Sequence, residues 1–431
     1  MPTFGIVTFV NLTSCFNNCL NLQTVYFPAT CNTNANYNAT TLFQSCTNLK
    51  QIVFPSGFNP NTCSGTFNTC GTLKRIVFQS AASRLNTMLS MCVNCRNLTD
   101  VRLPDSVSST GINLGSAFQN CPSLETITIP SNYLFTSLFA TFSNSTGLKT
   151  VNWSPGAQNS LTTMSGTFQS CNLLSSITLP TSMTTCNNMS GTFQGANALT
   201  SVTFPAIMNA CTTLNSCFSN CRSLVSVTLP TSMSACNDFT SMFTVCPLLK
   251  SVVFPVTVSA TTTAFQPFND CMSLQSITFP TTQMSSVNTM FAAFANCTNI
   301  TTLVNFDKLG SLTATPLVNM GANGFFSSNT ISIACPLSAL SLVGLATSNR
   351  NRLQVVRLLN ISAGQWTGTS PQIDVSNTTM STANIIQLFN DMAAQPNVVS
   401  KTINITGAVG AAGLTAANRL IVTSKGWTIT G

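Results

Sequence analysis

The chain contains no histidine. That removes the commonest general base, the commonest metal ligand and the Ser-His and Cys-His nucleophile pairs. Charge is scarce as well: 16 Lys and Arg with 8 Asp and Glu are only 6% of 431 residues. No run approaches the roughly 18 consecutive apolar residues of a spanning helix, so membrane insertion is not expected. The net charge of +8 is spread thinly, with ten basic and six acidic residues in 1–308 and six and two in 309–431. Its densest run, Arg350, Arg352 and Arg357, reads as a solvated loop and strand edge. A basic stripe of the kind that grips nucleic acid is missing, so no nucleic-acid partner is expected. The acids of the first 300 residues, Asp100, Asp105, Glu125, Asp238 and Asp270, stand singly, whereas glycoside hydrolysis needs two positioned carboxylates. These absences predict a chain that is not an enzyme and has no cofactor.

What the chain does have is a repeat. Phe43, Cys46, Leu49, Ile52, Phe54 and Pro55 spell F-x-x-C-x-x-L-x-x-[IV]-x-[FLI]-P. The unit returns as Phe118, Cys121, Leu124, Ile127, Ile129, Pro130 and as Phe168, Cys171, Leu174, Ile177, Leu179, Pro180. It recurs at Phe218–Pro230 and Phe268–Pro280. Its cysteine column runs Cys19, Cys46, Cys70, Cys95, Cys121, Ser145, Cys171, Ala196, Cys221, Cys246, Cys271, Cys297, with spacings of 24 to 27 residues. A fixed period near 25 means one supersecondary unit per turn, stacked so that neighbours bury each other's apolar side. The [IV]-x-[FL] step alternates as a short strand does, and the following proline ends it. A second set of apolar positions, Met183, Cys186, Met189 and then Met208, Cys211, Leu214, suits a tight or 3₁₀-like return path.

The fold expected is therefore a β-rich solenoid of about twelve coils over residues 1–308, with a parallel sheet on one face. Phe4, Val7 and Phe9 fit the frame as a shortened first coil. Residues 309–370 read as an irregular connector with strand-like runs at 331–334 and 353–361. Residues 371–431 read as a β-α-β-α-β terminal cap: strands around Ile373, Ile403 and 427–429, a helix over 383–394 capped by Ser381 or Thr382, and a second capped by Thr415 and stopped by Gly426.

The count of 19 cysteines is odd, so not all pair internally. The ten in the column are expected to point inward as small hydrophobes forming a structural ladder. Parallel Cβ vectors fit disulfide geometry poorly. Cys15/Cys19, Cys92/Cys95 and Cys217/Cys221 have the spacing of zinc half-sites, but they coincide with core positions of the repeat, and no histidine or acid cluster completes a site. No metal is expected. Buried free thiols favour folding in a reducing cytoplasm.

These columns resemble the BspA-like (Treponema-type) leucine-rich repeats, over about residues 10–305. The resemblance implies a right-handed leucine-rich-repeat solenoid and a cell-surface or virion protein that binds proteins, matrix or host cells. The alanine that usually precedes the phenylalanine in that family is mostly Thr or Cys here. The ending LTAANRLIVTSKGWTITG also resembles tails of repeat proteins from Bacteroidetes and from tailed phages.

The outward strand positions flank the inward [IV] residue: Thr126 and Thr128, Ser176 and Thr178, Ser201 and Thr203, Ser226 and Thr228, Ser276 and Thr278. Threonine suits a pleated surface for its own sake. As a functional surface the same columns form a candidate binding face, joined at one end by Tyr26, Arg75 and Arg102. An ice-binding reading of the Thr-x-Thr columns is disfavoured by Val53, Val77, Arg102, Asn152 and Val253, which interrupt them.

Met1-Pro-Thr-Phe has no basic region or long apolar core, so it does not read as a signal peptide. Leu12-Thr13-Ser14-Cys15 looks like a lipoprotein box, but Cys15 directly precedes the phenylalanine of a coil. The function expected is a non-enzymatic structural or binding component of a phage virion (decoration, fibre or host adhesion), folded in the host cytoplasm. The alternative is a bacterial cell-surface adhesin, and a lesser one a polysaccharide-cleaving tailspike. Expected partners are other virion or surface proteins, among them a chain covering the N-terminal coil, and a host-surface protein or glycan.

Overall fold

A computed structural model of the chain describes residues 11–28, 36–153, 156–259, 266–282, 284, 294–295, 297, 299–300, 302–305, 332–335, 355–358, 372–392 and 402–431. The expected first coil at Phe4, Val7 and Phe9, the basic residues Arg350 and Arg352, and the expected boundaries near 308 and 370 lie outside these residues. The chain divides into two compact units. One is Met1–Cys211 with Ser216–Leu224, the other Thr212–Asn215 with Val225–Gly431.

In the first unit the apolar columns become a stack of coils. Strands Gln51–Phe54, Arg75–Phe78, Asp100–Arg102, Thr126–Thr128 and Thr150–Asn152 form one parallel sheet in that order. Their register pairs Ile52 with Ile76, Ile76 with Val101, and Ile127 with Val151. The inward residue of each strand thus sits above its counterpart, and its neighbours on either side are forced outward. Opposite the sheet, the phenylalanines stack ring on ring. Phe118, Phe142, Phe168, Phe193 and Phe218 follow one another at centroid separations of 5.3 to 5.7 Å with ring planes within 13° of parallel. This spine and the leucine column fill the core, which is fully closed to solvent.

The segment that carries each phenylalanine has its own ladder. Ala39, Thr41, Phe43 and Ser45 donate their N–H groups to Thr62, Ser64, Thr66 and Asn68 of the next coil at 2.8–2.9 Å. Two residues four apart in each such segment take a left-handed backbone, for example Thr41 and Ser45 (φ 50° and 60°) and Ser116 and Asn120 (52° and 57°). Many of the N–H groups between the ladder donors are satisfied locally. The backbone N–H groups of Ser64, Leu89, Gly115, Phe139, Ser165 and Ser190 bond to the side chains of Thr62, Thr87, Asn113, Ser137, Thr163 and Asn188, two residues before each. Such Asx and Ser/Thr turns give these six donors a partner within their own coil. The Met-x-x-Cys return path forms turns closed by N–H to C=O bonds three residues back, from Cys186 to Met183 and from Cys211 to Met208.

The second unit repeats the scheme. Ser251–Val253, Ser276–Thr278 and Thr302–Val304 form a parallel three-stranded sheet, and Phe243 stacks on Phe268 at 5.6 Å. Strands Ser332–Cys335 and Val355–Leu358 pair in parallel. At the C-terminus, Gln372–Asp374, Thr402–Asn404 and Thr428–Thr430 form another parallel sheet. Helix Thr382–Asp391 is capped by Ser381, whose side chain accepts from the Asn384 N–H, and it stops at Met392, short of the expected Ala394. Helix Ala416–Thr423 carries a reciprocal capping box between Thr415 and Asn418. A 3₁₀ turn at Val409–Gly413, not expected from the sequence, precedes it. Each unit is thus a parallel β-solenoid of stacked coils, and the helices are few.

Candidate binding face

The outward strand positions lie on one surface within each unit. In the first unit's five-stranded sheet, register places Gln51, Arg75 and Asp100 in one outward column and Thr126 beside Thr150. A parallel column runs Val53, Val77, Arg102, Thr128, Asn152, exposed from Arg102 onward, with Val53 half-buried and Val77 buried. Thr126 and Thr128 flank the buried Ile127 and are exposed, and Thr203 is exposed in the same way on strand Ser201–Thr203. Of the candidate residues in the second unit, Thr228 is exposed on Ser226–Thr228, whereas Thr278 is half-buried. Thr278 stands in register between the exposed Val253 and Val304.

The two arginines of the face are neutralised locally. Arg75 Nε lies 2.7 Å from Asp100 Oδ2 on the neighbouring strand, and Arg102 reaches Asp105 at 3.5 Å. Both pairs are more than half exposed, so each adds little stability. Their effect is to remove net charge from the surface. Tyr26 is 91% exposed and borders a shallow cavity of ≈ 260 Å³ with Gln51, Val53 and Gln79.

Thr178 departs from expectation. It is exposed, but the segment from Leu174 to Pro180 forms no strand. One coil back stands Trp153, at a position where other coils carry Phe, Leu or Ile at the strand end. A buried indole N–H needs an acceptor, and Trp153 Nε1 takes the Thr178 carbonyl at 2.8 Å. Here the face has a notch of ≈ 340 Å³, lined by Ser176, Thr178, Ser201 and Thr203 among others.

The cysteine column is buried from Cys46 through Cys297, while Cys19, in the first described coil, is half-exposed. Its members are free thiols and more than small hydrophobes. Cys70, Cys95, Cys171, Cys221 and Cys271 donate S–H to the carbonyls of Phe43, Phe67, Phe142, Phe193 and Phe243, in each case one coil back, at 3.0 to 3.2 Å. Cys46 donates to Phe16 in the same manner, and Cys121 to the carbonyl of Cys92, which occupies a phenylalanine position. Ser145, the one hydroxyl in the column, makes the equivalent bond to Phe118 at 2.7 Å. The threonines that replace the family's alanine follow the same logic: Thr66, Thr141 and Thr167 are buried and donate to Ala39, Leu114 and Leu138 of the preceding coil. Sequence columns of mixed Thr, Cys and Ala hid this bonding role.

Burial pushes the Cys63 and Cys186 thiols up to about 12 and raises those of Cys70, Cys121, Cys171 and Cys217 as well; at Cys271 the hydrogen bond with Cys297 raises it first and burial second. Such thiols are neutral and unreactive near pH 7. Among the described residues no group of three or more Cys, Asp or Glu is arranged to hold a metal ion, and no helix is long and apolar enough to cross a membrane.

Stacked coils of this period, with one parallel sheet and a leucine column beneath it, define a leucine-rich-repeat solenoid. Residues 11–92, 89–214 and 189–332 match the BspA-type leucine-rich repeat region in six copies, and the chain belongs to that family. Among solved structures, the chain is similar to a leucine-rich repeat protein from Bacteroides ovatus, at 14% identity and TM-score 0.45, over 85% of this chain and 87% of that one. It is also similar to a leucine-rich cell surface protein from Faecalibacterium prausnitzii, at 20% identity and TM-score 0.30, over 70% and 86%. The pneumococcal vaccine antigen PcpA is similar at 13% identity and TM-score 0.31, over 94% and 78%. No curated protein sequence matches the chain.

Proposed function

We propose that this chain is a non-catalytic binding protein displayed on a surface, and that its strand face holds a protein or matrix ligand. The observation that carries the proposal is the in-register pairing of exposed strand positions, which gives each unit a regular face of hydroxyl and aliphatic groups with its few charges paired. Membership of the BspA-type family supports the reading. Such a face recognises by shape and hydrogen bonding and not by long-range charge. Exposure of Leu20 (54%) and Tyr26 (91%) on the first described coil supports a partner chain at that end. The test replaces Thr128 and Thr203 by arginine and measures capture of immobilised matrix proteins and of intact cells. Loss of capture with an unchanged thermal melt is the expected result. Undiminished capture removes the strand face from the proposal.

The thiol ladder favours a second reading of where the display occurs. Free cysteines whose S–H groups hold the coils together form most readily in a reducing cytoplasm, which fits a virion component assembled inside its host. Mass spectrometry across a density gradient of the producing culture separates the readings. Banding with particles selects the virion, and recovery in envelopes of uninfected cells selects the cell surface.

A further inference from the structure

Away from the strand face, the first unit carries a polar cleft of ≈ 420 Å³ spanning three successive coils. That volume lies within the about 300–1,000 Å³ of small-ligand sites. We propose that this cleft binds the carboxylate-bearing sugar of an acidic polysaccharide, a hexuronate unit.

The cleft exists because of one glycine. The residue before the cysteine column is left-handed in every described coil of this unit, and it is usually Asn, Ser or Thr. Asn120, Asn144, Ser170 and Asn220 take φ of 57°, 60°, 57° and 62°, and Gly195 takes 74°. At Gly195 the column has no side chain, so a pit opens between Ser170 and Asn220.

The walls are amides whose hydrogen bonds run in one direction. Ser143 Oγ donates to Gln169 Oε1 at 3.4 Å, and Gln169 Nε2 donates to Gln194 Oε1 at 2.9 Å. This leaves the Gln194 Nε2 amide with its donors unspent among the described residues. On the other wall Asn197 Nδ2 donates to Asn172 Oδ1 at 3.2 Å, so Asn172 likewise keeps its Nδ2 donors. Asn197 Oδ1 is shut off from solvent without a partner and offers the cleft nothing. Arg222 closes the third coil's side with an exposed guanidinium, and no acidic residue lines the site.

Donors therefore outnumber acceptors. Gln194, Asn172 and Arg222 supply N–H groups, while Asn220 Oδ1 and the Ser170 hydroxyl are the acceptors left, Asn220 Nδ2 being bonded to Ser219. A guanidinium fork beside primary amides matches a carboxylate. The two remaining acceptors match hydroxyls on the same ring. A simple anion uses only the first half of this arrangement, and a neutral sugar leaves the guanidinium without a charge partner. The site is open and small, so a single unit binds weakly and a polymer gains by multivalency.

The test is titration of the full chain with trigalacturonate, followed by calorimetry and by saturation transfer to the sugar protons, with maltotriose and inorganic sulfate as comparison probes. Saturable binding of trigalacturonate, at least tenfold tighter than maltotriose, is expected. Arg222→Gln is expected to weaken it about tenfold, the worth of one charge-assisted hydrogen bond. Gly195→Asn is expected to abolish it by filling the pit. That variant keeps the fold, because neighbouring coils already carry Asn in this conformation, and its melt confirms this. Failure of trigalacturonate to bind, undiminished binding by Gly195→Asn, equal binding of maltotriose, or displacement by an equal concentration of sulfate each overturns the proposal.

Discussion

A thiol in the ladder satisfies a carbonyl that already accepts a backbone N–H: Phe67 O takes both Cys70 N–H and Cys95 S–H. The bond is weak, but it recurs coil after coil where a larger polar group has no room. Burial also keeps two core thiols outside the ladder, Cys63 and Cys186, protonated, which sets a pH dependence. In the unfolded chain a thiol ionises near its ordinary 9.0, whereas Cys63 and Cys186 hold their protons in the folded chain until about 12. Between those values the folded state binds more protons, so stability is full below pH 9 and falls as pH rises toward 12, by up to about 1.4 kcal/mol per unit for each such thiol. Urea unfolding at pH 7.5, 9 and 10.5 is expected to show this decline, and a flat profile would sink the explanation. Alkylation at pH 8 is expected to modify the exposed Cys15 and to leave Cys63 and Cys186 untouched until the chain unfolds, as read by peptide mass spectrometry. A second effect at this scale concerns Val245, a β-branched residue at φ 59°. Its counterparts in the other described coils are Asn, Ser, Gly, Asp and, at Thr69 alone, another β-branched residue. A left-handed backbone costs such a side chain about 1–2 kcal/mol, so Val245→Asn is expected to stabilise the chain by about 1 kcal/mol in the same urea assay.

At the scale of the element, the turn-forming column matters more than any strand. The strands are two to four residues long, while the Asx and Ser/Thr turns recur in coil after coil. Asn188→Ala removes the acceptor that Asn188 Oδ1 offers to Ser190 N–H at 2.9 Å. It is expected to cost about 1 kcal/mol and to raise hydrogen exchange at Ser190 specifically; unchanged exchange there would count against the turn. This column also shows how far the sequence was legible. The Phe, Cys, Leu and [IV] columns stand out because their role demands one chemical type. The turn column mixes Thr, Asn and Ser, and the left-handed column mixes Gly, Ser, Asn, Thr and Val, because the backbone geometry is shared while the side chain varies. Aligning the coils on their cysteines exposes both, along with Gly195 as the missing side chain of the cleft. The helix caps were legible since Ser381 and Thr415 act locally. The loss of the strand at Thr178 was not, because residues 176–179 keep the repeat pattern; the Thr178 carbonyl is taken by the Trp153 indole N–H of the preceding coil.

On the scale of a whole unit, stability is carried by neighbour-to-neighbour stacking and not by a central core, as expected for a solenoid. The phenylalanine spine makes this testable within the first unit. Phe142 is fully buried and stacks on both sides, on Phe118 at 5.7 Å and Phe168 at 5.6 Å. Phe16 is only half-buried and stacks on Phe43 alone among the described residues, at 5.3 Å. Truncating an interior ring therefore removes two stacks and leaves a closed cavity, with an expected cost of about 3–5 kcal/mol for Phe142→Ala. Phe16→Ala removes one stack at a site open to water, so its cost is expected to be less than half as large. The distribution of damage separates a solenoid from a globular core. If neighbour contacts dominate, exchange protection in Phe142→Ala falls first in the coils around Phe118 and Phe168, while the Phe43–Phe67 coils hold theirs. A uniform loss of protection through the unit, or equal costs for the two truncations, would show that the coils act as one cooperative core.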